Sequence, residues 1–237
     1  MSSSAHCPDL IRIVDRADHV LFDFDGPICS IFAGRSAPSL AAELRGLLLA
    51  EGVSLPAQVV DADDPLEVLR FTSSLGPDLT AQVDSALRAA EMVAAASARP
   101  TPHARETILA CNQTGRTVSV VSNNSTTAVE AYLTAYELIQ YVGLVVGRTD
   151  PDPALLKPHP HLIVQAVRAL SANPATCILI GDSTSDIEGS RAAGVRTVGY
   201  ANKPGKRERL ARAGADAVVT TMAELASVLL ARRLLSS

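Results

Sequence analysis

Two aspartates, Asp23 and Asp25, close a short apolar run, His-Val-Leu-Phe-Asp-Phe-Asp-Gly-Pro, at residues 19–27. Val20, Leu21, Phe22 and Phe24 read as a buried strand, which Gly26 and Pro27 end. Carboxylates one residue apart at such a place concentrate negative charge at a sheet edge, where a cation or a proton must offset it. Beside a divalent metal, two such groups can act as a nucleophile and a general acid/base. Three further polar clusters stand near short apolar runs. Ser122-Asn123-Asn124-Ser125 follows Thr-Val-Ser-Val-Val, and Gly181-Asp182-Ser183-Thr184-Ser185-Asp186 follows Cys-Ile-Leu-Ile. Lys157 lies in the loop Leu-Leu-Lys-Pro-His-Pro.

Each cluster alone has a plainer use. Asp-Gly is a common turn pair, Ser122 could cap a helix, and Asp182 and Asp186 suit the positive end of one. Lys157 alone would be a surface lysine, although the prolines around it fix its loop. His103, His159 and His161 lack metal-ligand spacing, and the basic stretch Lys203–Arg209 reads as a solvated helix face.

Bringing the clusters together requires a sheet. Residues 8–18 suggest a lead-in helix, and 19–24 the first strand. Residues 30–98 carry three helical stripes: Ala41, Leu44, Leu47 and Leu48; Leu66, Leu69 and Phe71; and Val83, Leu87, Ala90 and Val93. Thereafter helices alternate with short apolar strands. Helices are expected at 102–114, 125–135, 159–170, 184–193, 204–213 and 222–233, and strands at 117–121, 141–146, 177–180, 196–200 and 217–220. That order predicts an α/β fold, a doubly wound parallel sheet covered on both faces, with a helical block inserted after its first strand. Residues 1–28 and 99–237 form the expected core domain, and 29–98 the inserted domain. Ligands of an open parallel sheet bind beyond the carboxyl ends of its strands, where these clusters fall.

The set resembles the haloacid dehalogenase superfamily of hydrolases, and the likeness covers the whole chain. That family's four motifs stand here as Asp23-Phe24-Asp25-Gly26, Ser122-Asn123, Lys157-Pro158 and Gly181-Asp182-Ser183-Thr184-Ser185-Asp186. The inserted block is similar to the small helical C1-type cap of the phosphoglycolate phosphatase-like branch. The resemblance implies a Mg²⁺-dependent phosphatase acting on a small phosphorylated metabolite. Asp23 would attack phosphorus and become an aspartyl-phosphate. Asp25 would protonate the leaving oxygen and then deprotonate the attacking water. The metal would be held by Asp23, the backbone carbonyl of Asp25, and Asp182, with Asp186 orienting a metal-bound water or Lys157. Ser122 and the N–H of Asn123 would hold phosphoryl oxygens, and Lys157 would offset negative charge. Arg35, close after the first motif, is a candidate for an anionic substrate, and Arg70 a weaker one.

A phosphosugar mutase of the same superfamily uses the same aspartates, and a catalytically silent binding protein could keep the fold; both stay open. The dehalogenase branch lacks an acid at the place of Asp25. A phosphonate hydrolase would want a cap lysine, and residues 28–99 contain none. A phospho-receiver domain is about half this length, and the glycine-rich lysine loop of nucleotide hydrolases is absent. Pro27 departs from the Thr or Val that many family members carry. Specificity is expected within residues 28–99.

Composition allows a sizeable buried core. The 237 residues are 47% hydrophobic but only 3% aromatic, so the core must be mainly Ala, Leu, Val and Ile. A net charge of -4 gives no electrostatic reason to expect nucleic acid or an anionic membrane as partner. No apolar run reaches the about 18 residues that span a bilayer. The first ten residues lack a secretory pattern, and Cys7, Cys29, Cys111 and Cys177 are scattered, so reduced thiols in the cytoplasm are expected.

Overall fold

The computed structural model describes residues 8–231. The secretory-pattern reading at the chain start, Cys7, and the last two residues of the expected final helix lie outside them. In chain order the elements are α1 (Pro8–Asp15), β1 (His19–Phe22), β2 (Cys29–Ser30), α2 (Ala37–Ala50), α3 (Ala57–Val60), α4 (Pro65–Thr72) and α5 (Pro77–Ala96). Then come β3 (Arg99–Pro100), α6 (Ala104–Gln113), β4 (Thr117–Ser125), α7 (Thr126–Ala135), β5 (Leu144–Arg148) and α8 (His161–Ala169). The chain continues through β6 (Cys177–Gly181), α9 (Thr184–Ala192), β7 (Arg196–Tyr200), α10 (Lys206–Ala213), β8 (Ala217–Val219) and α11 (Met222–Ala231).

Six strands form one parallel sheet in the order β5-β4-β1-β6-β7-β8. Val20, Leu21 and Phe22 are all buried, as a central strand covered on both faces requires. One face packs Val20, Phe22, Val118, Val120, Ile178 and Ile180 into the largest apolar cluster. The other packs Leu21, Val121 and Leu179 against α8 through Leu162, Ile163 and Ala166. After β1 the chain builds outward through β4 and β5, then crosses back to β6. The strand order therefore reverses between β1 and β6, a switch point that leaves a crevice at the carboxyl ends. Phe22 pairs with Val120 on one side and with Ile180 on the other, so β1, β4 and β6 deliver their polar ends to one edge.

The helices α2, α4 and α5 share a second apolar cluster built on Leu40, Leu44, Leu48, Val68, Leu69, Val83 and Leu87. Ser36 caps α2 and Asp64 caps α4 with their side-chain oxygens, and each helix has a proline in its first turn. The chain enters and leaves this block through the antiparallel pair β2 and β3, with Cys29 opposite Pro100 and Ser30 opposite Arg99. α5 belongs to both clusters: Val83 and Leu87 pack in the helical block, while Ala94 and Ala95 pack under the sheet.

Several boundaries differ from the sequence expectation. β4 runs on to Ser125 through residues whose polar side chains read as a loop. A register irregularity between Val121 and Ser125 precedes the pairing of Ser125 with Arg148. β5 begins at Leu144, because residues 139–141 coil into a 3-10 turn. The third stripe ends on Ala94 rather than Val93, which is 62% exposed; α5 keeps its buried face by stepping from Ala90 to Ala94. Cys29, Cys111 and Cys177 are free and buried. Among the described residues no helix is long and apolar enough to cross a membrane.

Candidate active site

Asp23 continues β1, its N–H donating to the Ile180 carbonyl at 2.8 Å. Its Oδ1 accepts from the Phe24 N–H at 2.8 Å and stands 2.8 Å from Lys157 Nζ. Burial and the neighbouring Asp186 carboxylate raise the Asp23 pKa against the pull of Lys157. Asp25 Oδ1 accepts from the Ile31 N–H at 3.0 Å, and burial pushes its pKa up to about 6. A carboxyl group poised there can hold or release a proton near neutral pH. Gly26 has φ +105°, and a Cβ at this position would overlap the Asp182 carboxylate, so only glycine lets the turn after β1 pass Asp182 this closely.

Lys157 is buried although charged, which its partners explain. Nζ lies 2.6 Å from Asp186 Oδ1 and donates to the Val121 carbonyl at 3.0 Å, besides its pairing with Asp23. Burial alone would lower its pKa, but the two carboxylates outweigh this and raise it, so the ammonium stays charged. Its backbone is clamped from β4: Asn123 Oδ1 accepts from the Lys157 N–H at 2.8 Å, and Asn123 Nδ2 donates to the Lys157 carbonyl at 3.2 Å. Asn123 therefore spends its side chain on Lys157. Ser122 Oγ donates to Asn124 Oδ1 at 3.1 Å, and both Ser122 and Asn123 line the cavity.

Asp182 and Asp186 enter on the turn from β6 to α9. Ser183 and Asp186 form a reciprocal capping box there. Asp186 Oδ2 accepts from the Ser183 N–H at 3.1 Å and its hydroxyl at 2.6 Å, while Oδ1 serves Lys157. Both oxygens are thus engaged by the protein. One carboxylate oxygen each from Asp23, Asp182 and Asp186 lie within 4.8 Å of one another. These hard oxygen donors suit a hard divalent cation, with Asp23 and Asp182 the freer pair and Asp186 already tied to its own neighbours.

Two basic residues need correction. Arg35 lines a separate groove among α2 and α5 residues instead of the crevice, because the Glu43 carboxylate on α2 takes its guanidinium. Arg70 lines the crevice and donates from Nη2 to the Lys157 carbonyl at 3.0 Å. Lys206 does not belong to a solvated face. It pairs with Asp182, which also accepts from Asn202 Nδ2 at 3.0 Å. A basic run looks solvated in sequence, but α10 starts only at Lys206, directly after the loop that passes the end of β6.

Sequence reasoning also missed Arg148 and Glu91, both buried beside the β4 end. A signal was present: Asp84 and Glu91 stand seven residues apart on the buried stripe of α5, where an unpaired acid would be costly. The crevice has a volume of about 640 Å³, with Asp23, Asp25, Ser122, Lys157 and Asp182 along one wall and Asp63, Asp64, Leu66 and Arg70 of the helical block opposite.

Comparison with known proteins bears on the family and the fold. Residues 71–200 match the family model described as haloacid dehalogenase-like hydrolase. That stretch contains Ser122, Lys157, Asp182 and Asp186; Asp23 and Asp25 precede it and join the site through β1. A phosphoglycolate phosphatase from Salmonella choleraesuis is 28% identical over 124 residues, 52% of this chain and 48% of that protein. One from Escherichia coli (strain K12) is 31% identical over 98 residues, 41% of this chain and 38% of its own length. The chain thus spans about half the length of the first of these curated relatives, and less of the second. The fold is similar to that of a predicted phosphatase from Clostridium acetobutylicum, with TM-score 0.69 and 18% identity over 93% of this chain and 99% of that one. It is also similar to CbbY from Rhodobacter sphaeroides, solved in complex with phosphate, with TM-score 0.64 and 18% identity over 88% and 96% of the two chains. With the matched segment covering more than half of its length and its sheet edge built as described, this chain belongs to the haloacid dehalogenase-like hydrolase family.

Proposed function

We propose that the chain is a Mg²⁺-dependent phosphatase that hydrolyses a small phosphorylated metabolite through an aspartyl-phosphate at Asp23. One observation carries the reading: the Asp23 carboxylate lies between Lys157 Nζ at 2.8 Å and a cluster of carboxylates fit for a cation, on the wall of a crevice that inserted helices overhang. When bound, Mg²⁺ cancels the repulsion between these carboxylates and a phosphate dianion and polarises the phosphoryl group. Asp23, the Asp25 carbonyl and Asp182 would hold it. Asp23 Oδ1 is fixed by Phe24 and Lys157, which leaves Oδ2 as nucleophile. Ser122 and the N–H of Asn123 orient phosphoryl oxygens, and Lys157 balances the charge that builds on them. Asp25, held by Ile31 and shifted toward neutrality, gives its proton to the leaving oxygen and later takes one from water.

The crevice volume suits a metabolite-sized ligand. The matched relatives named phosphoglycolate phosphatase support a small phosphorylated acid as substrate. Arg70, the one cation besides Lys157 among the described residues that line the crevice, is the group that would meet its carboxylate. Assay of purified protein against p-nitrophenyl phosphate and a panel of phosphorylated metabolites, with and without Mg²⁺, tests the proposal. No metal-dependent turnover of any phosphoester would refute it and leave the silent binding protein.

Asp25→Asn is expected to lower kcat/KM by about 10²-fold or more on an alkyl phosphate, with a smaller loss on p-nitrophenyl phosphate. An alkoxide needs the proton; p-nitrophenolate leaves without it. Equal losses on both substrates, or a raised KM with kcat unchanged, would remove Asp25 from the acid role.

The crowded carboxylates also predict a pH-dependent response to Mg²⁺. Asp23 and Asp25 have pKa values raised above the ordinary 3.8, so the folded chain binds more protons than the unfolded one. Their contribution to stability therefore falls as pH rises from about 4 through 6 and beyond. A bound cation offsets that cost only where the carboxylates are ionised. Saturating Mg²⁺ should raise Tm clearly at pH 8 and little at pH 5 in differential scanning calorimetry. An equal shift at both values would contradict carboxylate ligation.

A further inference from the structure

We propose that Arg148, clasped by Asp84 and Glu91, is a positioning residue that sets the phosphoryl-binding end of β4 and ties it to the inserted helices. The inference rests on the reading of Ser122 and Asn123 as phosphoryl-binding. Arg148 is 1% exposed at the end of β5. Its Nε donates to Asp84 Oδ1 at 2.6 Å, and Nη1 and Nη2 reach the two Glu91 oxygens at 3.1 and 3.0 Å. Nη1 also donates to the Asn123 carbonyl at 2.5 Å. Glu91 in turn accepts from Asn124 Nδ2 at 3.1 Å and from the Ser125 N–H at 2.9 Å. Each side of the clasp thus holds the backbone of β4: Arg148 takes the carbonyl of residue 123 and Glu91 the amide of residue 125.

A buried ion pair of this kind gives little stability that apolar side chains of similar volume would not give. What it does give is fixed geometry, since the planar guanidinium accepts only a narrow set of partner positions. The irregular stretch between Val121 and Ser125 lacks the strand register that would otherwise hold it. The clasp holds it instead. Both acids come from α5, which is packed at one end in the inserted block and at the other under the sheet. A tilt of the block must then pull on residues 123 and 125. Any displacement of α5 is thereby transmitted to the phosphoryl-binding backbone.

Glu91→Gln and Arg148→Lys test this. Glu91→Gln keeps size and one acceptor and leaves Asp84 as the carboxylate partner of Arg148. Leu229→Ala, a core truncation in α11, serves as the control for general destabilisation. Assayed well below every Tm on p-nitrophenyl phosphate, the clasp variants should lose about 10²-fold in kcat/KM. Inhibition by inorganic phosphate should weaken with it, while the control keeps both values. Hydrogen exchange should show residues 121–127 losing protection in the clasp variants beyond the loss in the rest of the sheet. Clasp variants that match the control in kcat/KM and in local protection would overturn the proposal. A wild-type chain without turnover would refute the phosphatase reading alone. The exchange arm would then decide the clasp by itself, with uniform loss or unchanged protection counting against it.

Discussion

Replacing Asp23 by Asn is expected to lower turnover of any phosphate monoester by at least about 10⁴-fold, with a metal-free chain at least as stable as the parent. The two halves of this result have one cause. Asp23 is buried next to another carboxylate, and its pKa is raised because ionisation there is opposed by both burial and repulsion. Asn keeps the shape, can still accept the Phe24 N–H, and carries no charge to strip of water. The cost of holding the carboxylate disappears, and so does the nucleophile. Lys157 keeps Asp186 at 2.6 Å as its partner, so the substitution leaves no bare ammonium. Catalytic groups commonly stand where they burden the fold. Steady-state assay with Mg²⁺ and thermal denaturation in EDTA at pH 7.5 read both halves. Retention of more than about one part in a hundred of the parent turnover would exclude a covalent role for Asp23.

Lys157→Met should have the opposite signature, losing activity and stability together. Removing one member of a buried ion pair typically costs about 3–5 kcal/mol, since the partners remain buried without compensation. Here two carboxylates, Asp23 and Asp186, would be left facing each other. In a chain of this size that corresponds to a fall in Tm of roughly 10 °C. The fall should be smaller at pH 5 than at pH 8. Without the ammonium the Asp23 pKa rises further, the folded state takes up a proton at acid pH, and the repulsion is relieved. A pH-independent loss would mean that Lys157 acts by packing its chain rather than by its charge. Turnover should be lost even at temperatures where the variant is fully folded, because the transferring phosphoryl group loses its fixed countercharge.

Much of this site can be read without coordinates. Asp23, Asp25, Ser122, Lys157, Asp182 and Asp186 stand out because each polar group sits beside a short apolar run or a proline-fixed loop. An alternating strand and helix order dictates where such run ends must meet. Periodicity likewise reports the helices between β2 and β3. These signals are local: each depends on a few neighbouring residues and on the rule that parallel sheets gather strand ends at one edge.

What the chain order does not report is which long side chain reaches which partner. Arg35 stands close behind Asp25 in sequence yet pairs with Glu43, whereas Arg70, far along the inserted block, meets the Lys157 carbonyl. Lys206 looks solvated within its basic run and instead contacts Asp182. Asp84, Glu91 and Arg148 are spread over two elements, and their pairing exists only after α5 has docked across β4 and β5. Sequence alone determined the parallel sheet, the alternation of its strands with helices and the acids at the strand ends, because backbone hydrogen bonding and apolar burial act through short patterns, whereas the order of the strands in the sheet came only from the structure. Tertiary structure alone decided the partners of the charged side chains, because a buried charge must be paired by whatever the finished packing brings within hydrogen-bond reach.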